Sequence, residues 1–109
     1  MRRPLRFLAH KLDLDDAQMA QVAAVLDDLK TERAQGDVDH RRTQKLLAEA
    51  LSAENFDKQK AEKAVKQQAE SAARVGQAVL EALETLHGVL NAEQRRQLAL
   101  LLRTGPFFL

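Results

Sequence analysis

The sequence contains no cysteine, tryptophan or tyrosine, only two prolines and four glycines, and four phenylalanines among 109 residues. Without cysteine there are no disulfides, no thiol chemistry and no Cys-based zinc site. Few aromatics leave little for stacking nucleic-acid bases and little area per buried side chain, so the core must be thin. Scarce glycine and proline mean few tight turns, and there is no glycine-rich loop to cradle a phosphate. No stretch approaches the roughly 18 apolar residues of a membrane span. Serine and threonine are few, and neither Ser52 nor Ser71 has a histidine nearby in sequence. Catalysis has no foothold, and the chain reads as a non-enzyme.

What is present is helix-forming material. Hydrophobic residues make up 45% of the chain, mostly Ala, Leu and Val, and charged residues 30%. That composition belongs to long amphipathic helices and leaves little for strands. The length suits one domain, residues 1–109. The formal charge of +1 argues against a nucleic-acid partner. Both ends are basic, with Arg2, Arg3, Arg6 and Lys11 at one and Arg95, Arg96 and Arg103 at the other. An arginine-rich start without an apolar stretch behind it is no secretory leader, so the chain as written reads as cytoplasmic; an upstream leader would make it periplasmic.

Four helices follow from the pattern. Pro4 to Leu12 is a short helix carrying Leu5, Leu8 and Leu12 on one side. Asp15-x-x-Gln18 is a capping box that starts a second helix, with Leu14 and Met19 placed as a hydrophobic staple. Its seam steps through Met19, Val22, Leu26, Leu29, Arg33, Gly36, His40, Thr43, Leu47 and Ala50, and if unbroken to Leu51 it spans about 55 Å at ~1.5 Å per residue. Gly36, which costs a helix about 1 kcal/mol relative to alanine, is where a bend would fall. The tip lies at residues 52–56, and Asp57 caps a third helix with the seam Ala61, Val65, Gln68, Ala72, Val75, Val79, Leu83, Leu86 and Leu90. A tip near residue 54 sets His40 level with Gln68, so Arg33, His40, Thr43 and Gln68 form a polar layer that either fixes register and dimer geometry or lines an open groove for a ligand. Asn91-x-x-Gln94 repeats the capping box and opens a fourth helix through Arg103, which Thr104, Gly105 and Pro106 stop. Phe107, Phe108 and Leu109 form an apolar tail.

The two boxes, Leu14-Asp15-Asp-Ala-Gln18 and Leu90-Asn91-Ala-Glu-Gln94, flank the hairpin and resemble the paired LTxxQ motifs of the Spy, CpxP, ZraP and CnrX family. Asp15 and Asn91 stand where that family usually has threonine; all three residues cap helices well. The resemblance implies an all-α fold: a long antiparallel helical hairpin with short terminal helices, four in all, in an intertwined antiparallel dimer with a partly basic cradle. It also implies an ATP-independent chaperone whose cradle binds unfolded clients, with Arg33, Arg41, Arg42 and Lys45 as the basic residues of that surface. The motif residues Leu14, Asp15, Gln18, Leu90, Asn91 and Gln94 read first as helix caps. A second reading is a zinc, nickel or copper sensor or resistance accessory using His10, His40 and His87. No two of these stand three or four residues apart, so no single helix face offers a histidine pair, and a divalent transition metal is the one cofactor to consider. A third reading is a structural adaptor docking through its basic and apolar termini.

Overall fold

A computed structural model describes residues 4–105. Pro106 and the tail Phe107, Phe108 and Leu109 lie outside the described residues, as do Arg2 and Arg3. Within them are four helices: α1, Pro4–Leu12; α2, Asp16–Ser52; α3, Lys58–Val89; and α4, Ala92–Thr104. There is no strand among the described residues. The all-α hairpin with short terminal helices is thus the observed architecture.

The boundaries follow from local chemistry. α1 ends on Asp13, whose φ of 52° is left-handed, and the Leu14 amide reaches back to the Ala9 carbonyl at 3.2 Å. This six-to-one bond closes a Schellman turn. Asp15 then caps α2: the Gln18 amide donates to Asp15 Oδ1 at 2.7 Å while the Asp15 amide donates to Gln18 Oε1 at 3.1 Å. Asp57 caps α3 by accepting from the Lys60 amide at 3.1 Å. Asn91 caps α4 with the same reciprocal box, and Gly105, left-handed at φ 90°, closes it by donating to the Leu101 carbonyl.

The chain packs as two compact units, one taking the chain up to Lys30 and from Val79 onward, the other Thr31–Ala78. The first, the end unit, contains α1, α4, the start of α2 and the end of α3. Its buried residues include Leu8, Leu12, Val22, Val25, Leu29, Leu86, Leu90 and Leu98. The second, the tip unit, is the antiparallel pairing of the rest of α2 with the rest of α3 around the connection at residues 53–57. Its buried hydrophobic residues are Ala50 and Ala64, joined by the buried polar side chains of Thr43 and Ser71.

In the tip unit the seam differs from the one the periodicity suggests. The covered positions of α2 are Glu32, Gly36, Asp39, Thr43, Leu46, Glu49 and Ala50, and those of α3 are Lys60, Ala61, Ala64, Gln68, Ser71, Val75 and Ala78. Arg33, His40 and Leu47 on α2, and Val65 and Ala72 on α3, are exposed instead. Both readings share Gly36, Thr43, Ala50, Ala61, Gln68 and Val75 and differ by one residue in between. The reason is the space available: a Cβ built on Gly36 would lie 3.1 Å from Val75 Cγ2, so the helices run close and the positions between take small or hydrogen-bonding side chains. Register shifts too. Asp39 bonds Ser71 and Gly36 lies against Val75, so the hairpin turns about one residue later than a tip at 54, and His40 is not level with Gln68.

Gly36 does not break α2, which runs through it as one helix. Alanine there gains up to about 1 kcal/mol of helix propensity but must push Val75 aside, so Gly36→Ala should be close to neutral in a denaturant titration. Pairing it with Val75→Ala should restore part of the propensity gain. Gly36→Leu should cost about 1–3 kcal/mol by overpacking.

Candidate functional site

The end unit brings both motifs to one point. Gln18 and Gln94 each cap their own helix through Oε1, accepting from the Asp15 and Asn91 amides at 3.1 and 2.9 Å. The same two side chains also bond each other: Gln18 Nε2 donates to Gln94 Oε1 at 2.8 Å, and Gln94 Nε2 donates to Gln18 Oε1 at 3.0 Å. The remaining hydrogen on each amide goes to a helix terminus, from Gln18 to the Val89 carbonyl and from Gln94 to that of Leu12, both at 3.1 Å. Every donor and both lone pairs of each oxygen are therefore used. One amide pair ties the end of α1, the start of α2, the end of α3 and the start of α4. Gln94 is only 7% exposed, so these bonds are shielded from competing water. Leu90 is buried beside its box, and Leu14 is half-buried.

The tip unit has a different centre, Asp39. Its Oδ2 accepts from Ser71 Oγ at 2.8 Å and from Arg74 Nη2 at 2.7 Å, and its Oδ1 accepts from Gln35 Nε2 at 2.9 Å. The Ser71 hydroxyl foremost, then the Gln35 amide, with Arg74 adding to them, hold the carboxyl below its ordinary value of 3.8, against the opposing effect of burial. Nearby, Gln68 Oε1 is buried with no hydrogen-bond partner among the described residues. Of the predicted polar layer, Thr43 and Gln68 lie in the seam. Arg33 and His40 do not, and Asp39, Ser71 and Arg74 replace them.

An antiparallel helix pair has two flanks, and here they differ in chemistry. One carries Gln35, Arg42 and Glu49 from α2 with Lys60, Gln67 and Arg74 from α3. The Lys60–Glu49 pair at 3.2 Å and the Arg74–Asp39 pair mark it. The other carries Arg33, His40 and Leu47 from α2 with Lys58, Val65 and Ala72 from α3, and Leu51 lies one turn beyond Leu47. Leu51, Phe56 and Val65 are 76, 61 and 59% exposed. Beside them is an open groove of about 420 Å³ lined by Phe56, Ala61 and Val65 and by the side chains of Lys58, Glu62 and Lys66.

The predicted cradle residues Arg33, Arg41, Arg42 and Lys45 are all exposed. At 100° per residue they do not form one face: Arg42 stands on the charged flank, Arg33 on the apolar one, and Arg41 and Lys45 point away from α3. His10, His40 and His87 are exposed as well, and among the described residues no three His, Asp or Glu side chains gather where they could hold a metal ion. Among the described residues no helix is long and apolar enough to cross a membrane.

Neither the Gln18–Gln94 pair nor the Asp39 cluster is apparent from helical periodicity. A signal for the first was available: a glutamate caps as well as a glutamine, and only glutamine keeps an NH2 group to spare. No curated protein and no solved structure matches the chain. The family model described as LTXXQ motif family protein matches residues 1–102, nearly the whole chain and both glutamine boxes. The chain therefore belongs to the LTXXQ motif family, that of the Spy/CpxP-like helical proteins.

Proposed function

We propose that the protein is a Spy/CpxP-like chaperone that binds non-native polypeptides without nucleotide or cofactor, as a dimer, and that catalysis plays no part. The observation that carries this reading is the asymmetry of the tip unit. Its flank of Leu47, Leu51, Phe56, Val65 and Ala72 is apolar and open, while the opposite flank is charged and internally paired. Exposed apolar patches on a small soluble helical protein mark places where other chains dock. Many shallow contacts of this kind, with arginine and lysine at the rim, suit weak binding of varied clients better than recognition of one small ligand.

The test is suppression of client aggregation, followed by light scattering at stoichiometric amounts. The wild-type protein should protect. Replacing Phe56 and Val65 by serine should remove most of that protection while the helical circular dichroism is unchanged, and replacing Arg33, Arg41, Arg42 and Lys45 by glutamine should weaken it. Normal protection by both variants, or no protection by the wild type, would overturn the reading.

A further inference from the structure

Each unit is held by its own kind of internal contact. The end unit encloses a core of leucines and valines and a pair of neutral amides, neither of which titrates. Among its described residues Asp15 caps the start of α2 and Glu93 pairs with Arg96 within α4, both local and exposed carboxylate contacts. The tip unit buries only alanine as fully apolar side chains, and Ala contributes little area. What joins its helices is a set of bonds to carboxylates: Asp39 with Ser71 and Arg74, and Glu49 with Lys60, with Asp57 capping α3. The buried, unpartnered Gln68 Oε1 is a further cost in the same layer.

Charge does not distinguish the units. Residues 31–78 contain nine Lys and Arg against eight Asp and Glu, and the remainder of the chain contains eight of each. Acidification therefore loads both with similar positive charge, and what holds each unit decides which one yields.

We propose that acid opens the tip unit as a separate step, α2 and α3 parting between residues 31 and 78, while the end unit stays folded. Arg74 faces Asp39 from α3. On α2 itself Arg42 stands one turn further on and Glu32 two turns back, with His40 next in sequence on the exposed side. When Asp39 takes up a proton, Arg74 loses its counter-charge and Arg42 adds unbalanced positive charge along the same helix pair. A carboxyl held below its unfolded value near 3.8 stabilises the fold fully above that value and loses its contribution as pH falls toward the folded one. The opening therefore belongs to the region below about pH 4. This device is independent of what the apolar flank binds, so it can stand or fall without the chaperone reading.

Assigned amide NMR spectra of the full chain, taken from pH 7 to pH 2 at constant ionic strength, test it. Signals of Gly36, Thr43, Ser71 and Gly76 should move to unfolded positions in a first step that removes a little under half of the helical dichroism. Signals of Val22, Leu86 and Leu98 should hold until a second step at lower pH. Ser71→Ala takes away the leading donor to Asp39, so it should shift the first step to higher pH and leave the second in place. Asp39→Asn should weaken the tip unit at neutral pH and flatten the pH dependence of the first step. Loss of all four helices in one step, earlier loss of the end unit, or a Ser71→Ala variant that moves both steps or neither would overturn the proposal.

Discussion

Replacing Gln94 by alanine should lower the unfolding free energy by about 3 kcal/mol, as read by urea titration at neutral pH. Four hydrogen bonds disappear with the side chain, and the Leu12 carbonyl and Gln18 Nε2 lose partners in a place largely closed to water. A typical bond is worth about 1 kcal/mol net, and each buried group left unpaired costs about 1–3. Three kcal/mol is a large part of the 5–15 typical of a small domain. Gln94→Glu separates the two jobs of the residue. Glutamate keeps the oxygen that accepts from the Asn91 amide, so the cap survives, but it has no hydrogens for Leu12 or Gln18 and places a negative charge against two oxygens. It should cost at least as much as alanine at neutral pH, and part of the loss should return on acidification as the carboxyl becomes a donor. If Gln94→Glu were as stable as the wild type, the residue would be a cap and nothing more. Gln18→Ala should cost less because Gln18 is only half-buried, and the double variant should lose about 1–2 kcal/mol less than the sum, since each single change already breaks the shared pair.

Helix ends were legible in the sequence because they depend on neighbours in the chain. Asp15, Asp57, Asn91 and Gly105 each act within four residues, and each stands where the motif puts it. The seam was only half legible. Leu29, Gly36, Thr43 and Ala50 recur every seven residues, and a helix face can continue from each to a residue three or four further on. One choice gives Glu32, Asp39 and Leu46; the other gives Arg33, His40 and Leu47. Local hydrophobicity cannot separate them, since each series has one leucine and two ionisable residues. Ser71 and Arg74 across the hairpin separate them, by supplying donors that suit a carboxylate. The same holds on α3, where Val65 looks a better core residue than Ala64 until the closeness of Gly36 and Val75 is known. In the motifs, capping by each glutamine was readable, but the bond between them joins residues 76 apart and depends on the fold. Charge and resemblance point to the cradle arginines, and helical geometry distributes them over three sides of α2.

Leu86→Ala and Val65→Ala distinguish the observed seam from the apparent one most sharply, because the pattern of apolar residues in α3 treats the two positions alike. Leu86 is 1% exposed in the end unit, and truncating it opens a cavity among large side chains; the expected loss is about 3 kcal/mol, within the 2–5 common for buried leucines. Val65 projects from the open flank of the tip unit, and its truncation should change stability by no more than about 0.5 kcal/mol. Helix propensity pushes the same way, since alanine forms helix better than valine. Urea titrations of the two variants therefore give results that differ severalfold. A loss above about 1.5 kcal/mol for Val65→Ala would mean that this flank is already covered in solution. The concentration dependence of that loss would then tell whether a second copy covers it, because contacts within one chain do not weaken on dilution and contacts between copies do.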